Sequence, residues 1–313
     1  MKTVAGILLI IGLSLLNSGC ATSKPASSRP VTWEVYYLGG QSNMDGYGFN
    51  DDLAEDQRYV SNDVMIFTGH TVLDDDDSGG VGVWEPLQPG HGTGVRSDGV
   101  VVQRWNRFGP ELAFGRTIAA GSDGARIAIV KYSLGGSGLA AGVGYGSWDP
   151  EYGDGAGINQ YDNALKTIDN ALSATDIDGD GRADVLVPSG IVWMQGEADA
   201  FDSQDAADAY EANLTRMMGL LRKALGGGQL PVVIGKITDS GMSDDGSVMD
   251  YIGTVQQAQA NFVAGDACAA YVTVTDDLKY LDDGWHYDSA GYLTLGAAFA
   301  DAITELDLAC SGR

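Results

Sequence analysis

Basic residues are few in this sequence. Lysine and arginine together number 18 against 43 aspartates and glutamates, for a formal net charge of −25. Such a surface repels phosphate backbones, which argues against nucleic acid as a partner. Anionic ligands meet the same unfavourable field unless local arginines compensate, whereas neutral ligands and bound cations suit it. The plainer reading is that acidity keeps an exported protein soluble. Histidine is scarcer still, at three residues, and the cysteines are Cys20, Cys268 and Cys310. Two separated cysteines past the N-terminus do not compose a zinc site. The apolar run Val4–Leu16 is too short for a comfortable transmembrane helix. There is no internal repeat. There is also no Gly-x-Ser-x-Gly, which argues against the α/β-hydrolase fold.

What is present is globular. Hydrophobic residues make up 44% of the chain and charged residues 19%. A length of 313 residues allows one large domain or two small ones. The 45 glycines suggest many turns and close backbone approaches. Lys2 followed by the Val4–Leu16 run reads as an export leader. Gly19-Cys20 resembles a bacterial lipoprotein cleavage site in which Cys20 becomes lipidated, although Asn17 stands where that pattern carries an aliphatic residue. Ala21 after it resembles the outer-membrane sorting pattern. Residues 1–20 are thus expected to be a leader and 21–31, rich in Ser, Pro, Ala and Thr, a flexible tether. The expected location is the outer membrane, facing the periplasm or the cell surface. In such an oxidising compartment Cys268 and Cys310 read as one disulfide, the alternative being two buried thiols.

Past the tether, apolar and β-branched runs alternate with helical spacing. Strands are expected at Thr32–Leu38, Val64–Phe67, Arg126–Tyr132, Val185–Met194, Pro231–Ile237 and Ala270–Val274. Helices are expected at Glu111–Ala120, Ile158–Ala174, Asp205–Leu225, Met249–Val263 and about Ser289–Leu306. Residues 45–105 read as long glycine-rich and acidic loops, with Asp74–Asp77 a solvated charge run. Strands alternating with helices, several of them wholly apolar, imply an α/β protein: three α/β/α layers around a central parallel sheet. Ligands of such sheets bind at the carboxyl ends of the strands, where the polar and glycine motifs fall.

Ser42 follows the first expected strand, in Gly40-Gln41-Ser42-Asn43-Met44. A serine there can present its hydroxyl at the mouth of the sheet and enter a helix whose N-terminal N–H groups stabilise an anion. By itself such a pair is more often a turn. A hydroxyl also needs a base, usually histidine held by a carboxylate. Of the three histidines only His286 has a carboxylate at close fixed spacing, in Asp283-Gly284-Trp285-His286. His70 and His91 read as surface or pocket-wall residues.

Gly40-Gln41-Ser42-Asn43-Met44 resembles the nucleophile block of the sialate O-acetylesterase-like branch of the SGNH hydrolases, which includes the carbohydrate esterase family 6 acetylxylan esterases. Phe108-Gly109-Pro110-Glu111, Gly135-Gly136-Ser137, Trp193-Met194-Gln195-Gly196-Glu197-Ala198-Asp199, Asp283-Gly284-Trp285-His286 and Tyr292-Leu293-Thr294-Leu295-Gly296 resemble its later blocks, in order. The resemblance spans roughly residues 33–300. It implies the flavodoxin-like SGNH fold over 32–313 and a serine esterase that removes O-acetyl groups from carbohydrates without a catalytic cofactor. Ser42 would attack the ester, His286 move the proton and Asp283 orient His286. The Ser42 and Gly136 N–H groups and the Gln195 side chain would hold the oxyanion. Glu197 and Asp199 would cap a helix, hold Gln195 or touch substrate.

A second constellation is Asp176-Ile177-Asp178-Gly179-Asp180-Gly181-Arg182-Ala183-Asp184. Alternating aspartates offer oxygens to a hard cation, glycine permits the turn, and the Arg182 carbonyl can add a ligand. It resembles calcium loops of the Asp-x-Asp-x-Asp-Gly type, with Val187 where an EF-hand has glutamate. A structural calcium on Asp176, Asp178, Asp180, Arg182 and Asp184 is expected, against a solvated acidic turn. The expected substrate is an acetylated polysaccharide such as xylan, or acetylated sialic acid, with Trp84, Tyr145, Trp148 and Trp285 as candidates for stacking on sugar rings. The alternative is a calcium-braced surface protein that binds carbohydrate on a catalytically lapsed SGNH fold. The complete serine, aspartate and histidine set speaks against it. Residues 45–105 contain no long apolar lid, which disfavours a lipid ester.

Overall fold

The computed structural model describes residues 30–310, apart from residues 75 and 154–156 and the side chains of 307–309. The leader, Cys20 and the tether up to residue 29 lie outside the described residues, as does Asp75 of the acidic run.

The main strands are β1 (Thr32–Gly40), β2 (Val64–Thr68), β3 (Trp84–Pro86), β4 (Arg126–Ser133), β5 (Val185–Met194), β6 (Val232–Gly235) and β7 (Ala269–Val272). The helices are α1 (Ser42–Asp45), α2 (Glu111–Gly121), α3 (Gln160–Ser173), α4 (Glu197–Ala200), α5 (Gln204–Ala224), α6 (Ile252–Gly265) and α7 (Ser289–Cys310). One seven-stranded sheet runs β7-β6-β5-β1-β4-β2-β3. Every pairing is parallel except β2 with β3. Helices α2 and α7 pack together on the sheet, and α3, α5 and α6 form the other helical group. The α/β/α reading therefore holds, with one antiparallel edge strand, Trp84–Pro86, that the loop assignment for 45–105 did not include.

The sheet centres on β1 because its side chains are apolar in both directions. Trp33, Val35, Tyr37 and Leu38 are all fully buried, as parallel strands covered on two faces require. Pro188, which cannot donate to a ladder, sits at a register shift: Val35 pairs with Pro188 and Tyr36 with Gly190.

Register also places the turns that matter. Gly40 lies opposite Ser133 of β4 and opposite Met194 of β5. The chain therefore leaves three adjacent strands at one level, and the segments after Gly40, Ser133 and Met194 emerge side by side. The contact is close: with φ +142°, a Cβ on Gly40 would stand 1.9 Å from the Met194 carbonyl oxygen. Only glycine fits that backbone.

Beneath the turns lies a buried ion pair. Lys131 of β4 is fully buried and its Nζ donates to Glu111 Oε2 at 2.7 Å and to the Asp45 and His91 carbonyls at 2.8 Å each. A buried ammonium needs this full set of acceptors. His91 is fully buried here, its Nδ1 3.0 Å from Thr68 Oγ1 and its Nε2 3.2 Å from Glu85. It is a core residue rather than the surface or pocket-wall residue expected, because the loop that carries it folds back over β2. Cys268 and Cys310 form a disulfide that ties the end of α7 to the turn before β7.

Candidate active site

Ser42 opens α1, directly after β1. In the first turn of a helix an N–H has no partner four residues back. Among the described residues neither the Ser42 N–H nor the Gly136 N–H donates to any protein acceptor. The Gly135–Gly136 turn after β4 lies against the serine: a Cβ on Gly135 would meet the Ser42 Cβ at 3.4 Å. Gly136 needs φ +69°, and a Cβ there would strike the Tyr145 ring at 2.6 Å. Ser42, Gly136 and His286 line one cavity of about 730 Å³, with Tyr47, Tyr145, Phe201 and Trp285 among its walls.

His286 sits in the loop before α7. Its Nδ1 lies 2.7 Å from Asp283 Oδ2, while Asp283 Oδ1 accepts the N–H groups of Trp285 at 2.9 Å and His286 at 3.0 Å. The aspartate thus fixes loop and ring together and leaves Nε2 available. Burial tends to raise the Asp283 carboxyl, but the hydrogen bonds from His286 and the two backbone N–H groups outweigh it and hold it below the ordinary range. Burial lowers the His286 pKa, and the opposing pull of Asp283 restores only part of that. Both directions favour a neutral imidazole beside an ionised aspartate. Tyr47 stacks flat on the His286 ring, with centroids 3.5 Å apart and planes 4° apart.

Asn43 joins the serine turn to the histidine loop. Its Nδ2 donates to Glu197 Oε1 at 2.8 Å and to the Trp285 carbonyl at 3.1 Å, and its Oδ1 accepts from Tyr292 at 2.8 Å. Glu197 is buried, and burial raises its pKa against the pull of Asn43.

Gln195 is placed differently from the expectation. It is fully buried, and its Nε2 donates to Asp199 Oδ2 at 2.6 Å and to the Ser137 carbonyl at 3.1 Å, while its Oε1 accepts from Tyr210 at 3.0 Å. Two N–H bonds are all that an amide nitrogen has, so Gln195 is not an oxyanion donor here. Asp199, whose carboxyl burial pushes up to about 6, holds it from below and also accepts the Leu139 and Ala140 N–H groups at 2.9 Å each.

Of the aromatic residues expected near sugar, Tyr145 and Trp285 line the cavity. Trp148 is fully buried, with its Nε1 bonded to Ser137 Oγ at 2.9 Å, and Trp84 bonds the Ala171 carbonyl at the sheet edge. Phe201, paired edge-on with Trp285 at 5.4 Å, joins the wall instead. No periodicity marks Tyr47 or Phe201, since each reaches the site from a loop or a helix end.

The acidic turn lies elsewhere in the fold. Carboxylate oxygens of Asp176, Asp178 and Asp184 lie within 4.8 Å of one another. Asp180 is not part of that group: its Oδ1 accepts the Arg182 N–H at 2.9 Å and its Oδ2 faces the Arg182 guanidinium at 3.7 Å.

No protein of the curated set matches this sequence. Among solved structures, a protein from Arabidopsis thaliana is 19% identical, with 88% of this chain and 99% of that one covered at a TM-score of 0.60. A carbohydrate acetylesterase from Xanthomonas citri is 14% identical, with 90% of this chain and 57% of that one covered at 0.57. NanS is 16% identical, with 88% and 98% covered at 0.56. At these identities the likeness is one of fold. Residues 32–305 match the family described as carbohydrate esterase, sialic acid-specific acetylesterase, and because that match spans nearly all of the described chain, this protein belongs to that family of carbohydrate acetylesterases.

Proposed function

We propose that Ser42, His286 and Asp283 carry out the deacetylation, on a neutral acetylated polysaccharide. The observation that carries this reading is the meeting of Ser42 and His286 in one cavity, with His286 Nδ1 on Asp283. With Nδ1–H held by the carboxylate, Nε2 keeps its lone pair for the serine proton. Ser42 Oγ then bonds the acetyl carbonyl carbon as its proton passes to Nε2. The carbonyl π pair moves onto oxygen, facing the Ser42 and Gly136 N–H groups. When the tetrahedral intermediate collapses, the bond to the sugar oxygen breaks and that oxygen takes the proton from Nε2. Water repeats the sequence and releases acetate. A pure binding module has no use for this arrangement.

The walls support a neutral sugar. Tyr47, Tyr145, Phe201 and Trp285 offer ring faces and edges, Asp202 contributes a negative charge, and among the described residues no lysine or arginine stands in the lining. A sialic acid carboxylate would need a guanidinium or ammonium partner.

Two further proposals are structural. Asp176, Asp178 and Asp184 hold a calcium ion, which would cross-link the turn between α3 and β5. The 4.8 Å span of their oxygens suits ligands placed about 2.3–2.6 Å from one ion. Cys20 carries a lipid that anchors the protein to the outer membrane, supported by the leader pattern alone.

Acetate release from acetylated xylan and from O-acetylated sialic acid, each with wild type and Ser42→Ala, tests the central reading. Release from xylan alone, reduced by several orders of magnitude in the variant, is expected. Release from the sialic acid alone would overturn the neutral substrate, and turnover retained in Ser42→Ala would overturn the nucleophile. The acid limb of the kcat/KM profile should inflect below about pH 6.5, since a lowered histidine pKa keeps the base neutral further into acid. Asp283→Asn removes the group that raises that pKa. It should move the inflection lower still and cut kcat on the order of 10³–10⁴-fold; an unmoved inflection would sink the pairing. Calcium at about a hundred times its Kd should stabilise the chelator-treated protein by about 2.7 kcal/mol, and Asp178→Asn should abolish the gain; a thermal melt indifferent to calcium would mean the turn binds none. Labelled fatty acid should be incorporated by the full chain and not by Cys20→Ala, and equal labelling of both would refute the anchor.

A further inference from the structure

We infer that Tyr47 is the positioning residue of His286: its ring face sets the plane of the imidazole and stabilises the imidazolium that forms when Ser42 gives up its proton. This deepens the proposed role of His286 as base and rests on it.

The stack differs from every other ring pair among the described residues. Tyr47 and His286 lie 4° apart in plane with centroids 3.5 Å apart, whereas the other aromatic pairs meet at 48–76°. Two neutral rings disfavour full face-to-face overlap, because their electron-rich faces repel. A cation over a ring face is attracted instead. The overlap therefore becomes favourable as Nε2 takes the serine proton, and an interaction that strengthens with the developing charge lowers the barrier. The phenol itself stays neutral, since burial raises its pKa.

The stack also supplies a constraint that Asp283 cannot. The bond from Nδ1 to Asp283 Oδ2, at 2.7 Å, fixes one corner of the imidazole but lets its plane turn about that bond. A flat partner against the ring removes this freedom and keeps Nε2 in one plane. Tyr47 can serve so because it is itself pinned. Its carbonyl accepts from Arg107, whose guanidinium lies 3.5 Å from the Phe49 ring centroid, and its phenol hydrogen-bonds the Thr93 side chain. The turn that presents it requires glycine: Gly46 has φ +101°, and a Cβ there would stand 2.1 Å from the Gly109 Cα. The charged groups around His286 are Asp283 on its own loop, Arg107 on the short strand Arg107–Phe108 and Asp202 on the cavity wall. Asp45 of α1 acts on Tyr47, and Glu197 reaches the histidine loop through Asn43. None of these is altered by replacing the Tyr47 ring.

Tyr47→Leu keeps an apolar cover over the imidazole and removes the ring face, while Tyr47→Phe keeps the face and removes the hydroxyl. An imidazolium deprived of that face gives up its proton more readily. On a small aryl acetate, kcat of Tyr47→Leu should therefore fall about 3–30-fold with KM little changed. Its acid inflection in kcat/KM should move down by about 0.4–1.5 pH units, and Tyr47→Phe should keep the wild-type inflection. An inflection that stays or rises in Tyr47→Leu, or that moves equally in Tyr47→Phe, overturns the inference, since packing or the Thr93 bond would then be the whole role of Tyr47. The wild-type protein supplies a second reading that no folding defect can cloud. By NMR its His286 ring protons, assigned by their absence in His286→Asn, should lie upfield of those of His70 in both charge states, shielded by the Tyr47 face. Loss of that shielding in the imidazolium form overturns the stabilisation. The same titration reads His286 without turnover. If its pKa follows the ring across the variants while the turnover inflection does not, His286 is not the base, and Tyr47 falls with the underlying reading. If the inflection tracks the His286 pKa and neither depends on the ring, Tyr47 alone is refuted.

Discussion

The site depends first on one buried amide. Asn43 stands next to Ser42 in the chain, and the carbonyl it bonds belongs to Trp285, next to His286. A single side chain thus fixes the distance between two residues far apart in sequence. It can do so because Glu197 and Tyr292 complete its hydrogen bonds from two other elements. Each such bond contributes on the order of 1 kcal/mol net, while leaving any one of these buried groups unpaired costs about 1–3 kcal/mol. The geometry is therefore held less by the strength of the bonds than by the cost of breaking one of them. Such networks are most effective when complete.

Around that amide the site is assembled from strand ends. Alignment of Gly40 with Ser133 and Met194 delivers the Ser42 turn, the glycine turn and the Gln195 segment to one place. Lys131 and Glu111 tie the end of α1 to the sheet from beneath. The histidine loop is the exception, since it precedes α7 rather than ending a paired strand. It is held by Asp283 through backbone and ring together, and by the Tyr47 ring stacked upon it. Elements placed by the sheet register need few extra contacts, whereas a loop needs its own.

Much of this was legible in the residue order. The alternation of apolar strands with helices, the serine after a strand and the aspartate three residues before a histidine are local patterns, and each shows in a window of a few residues. The disulfide followed from counting cysteines. Element ends shifted by a few residues, since caps rather than periodicity set them. Less legible were β3, a three-residue edge strand with no alternation to display, and His91, which long-range folding of its loop carried into the core. Gln195 was misplaced for a related reason. Its residue type suited an oxyanion donor, but where its N–H bonds go depends on Asp199 and Ser137, which only the folded chain brings to it.

The sequence by itself thus determined the fold class and the family, and singled out the serine, aspartate and histidine proposed to act together, because strand and helix periods and short motifs are local properties of a chain. Only the tertiary structure decided where the Gln195 amide turns, which aspartates of the acidic turn converge and which aromatic rings line the walls. Those outcomes are set by competition among donors, acceptors and surfaces brought together from distant parts of the chain, and that competition exists only once the chain has folded.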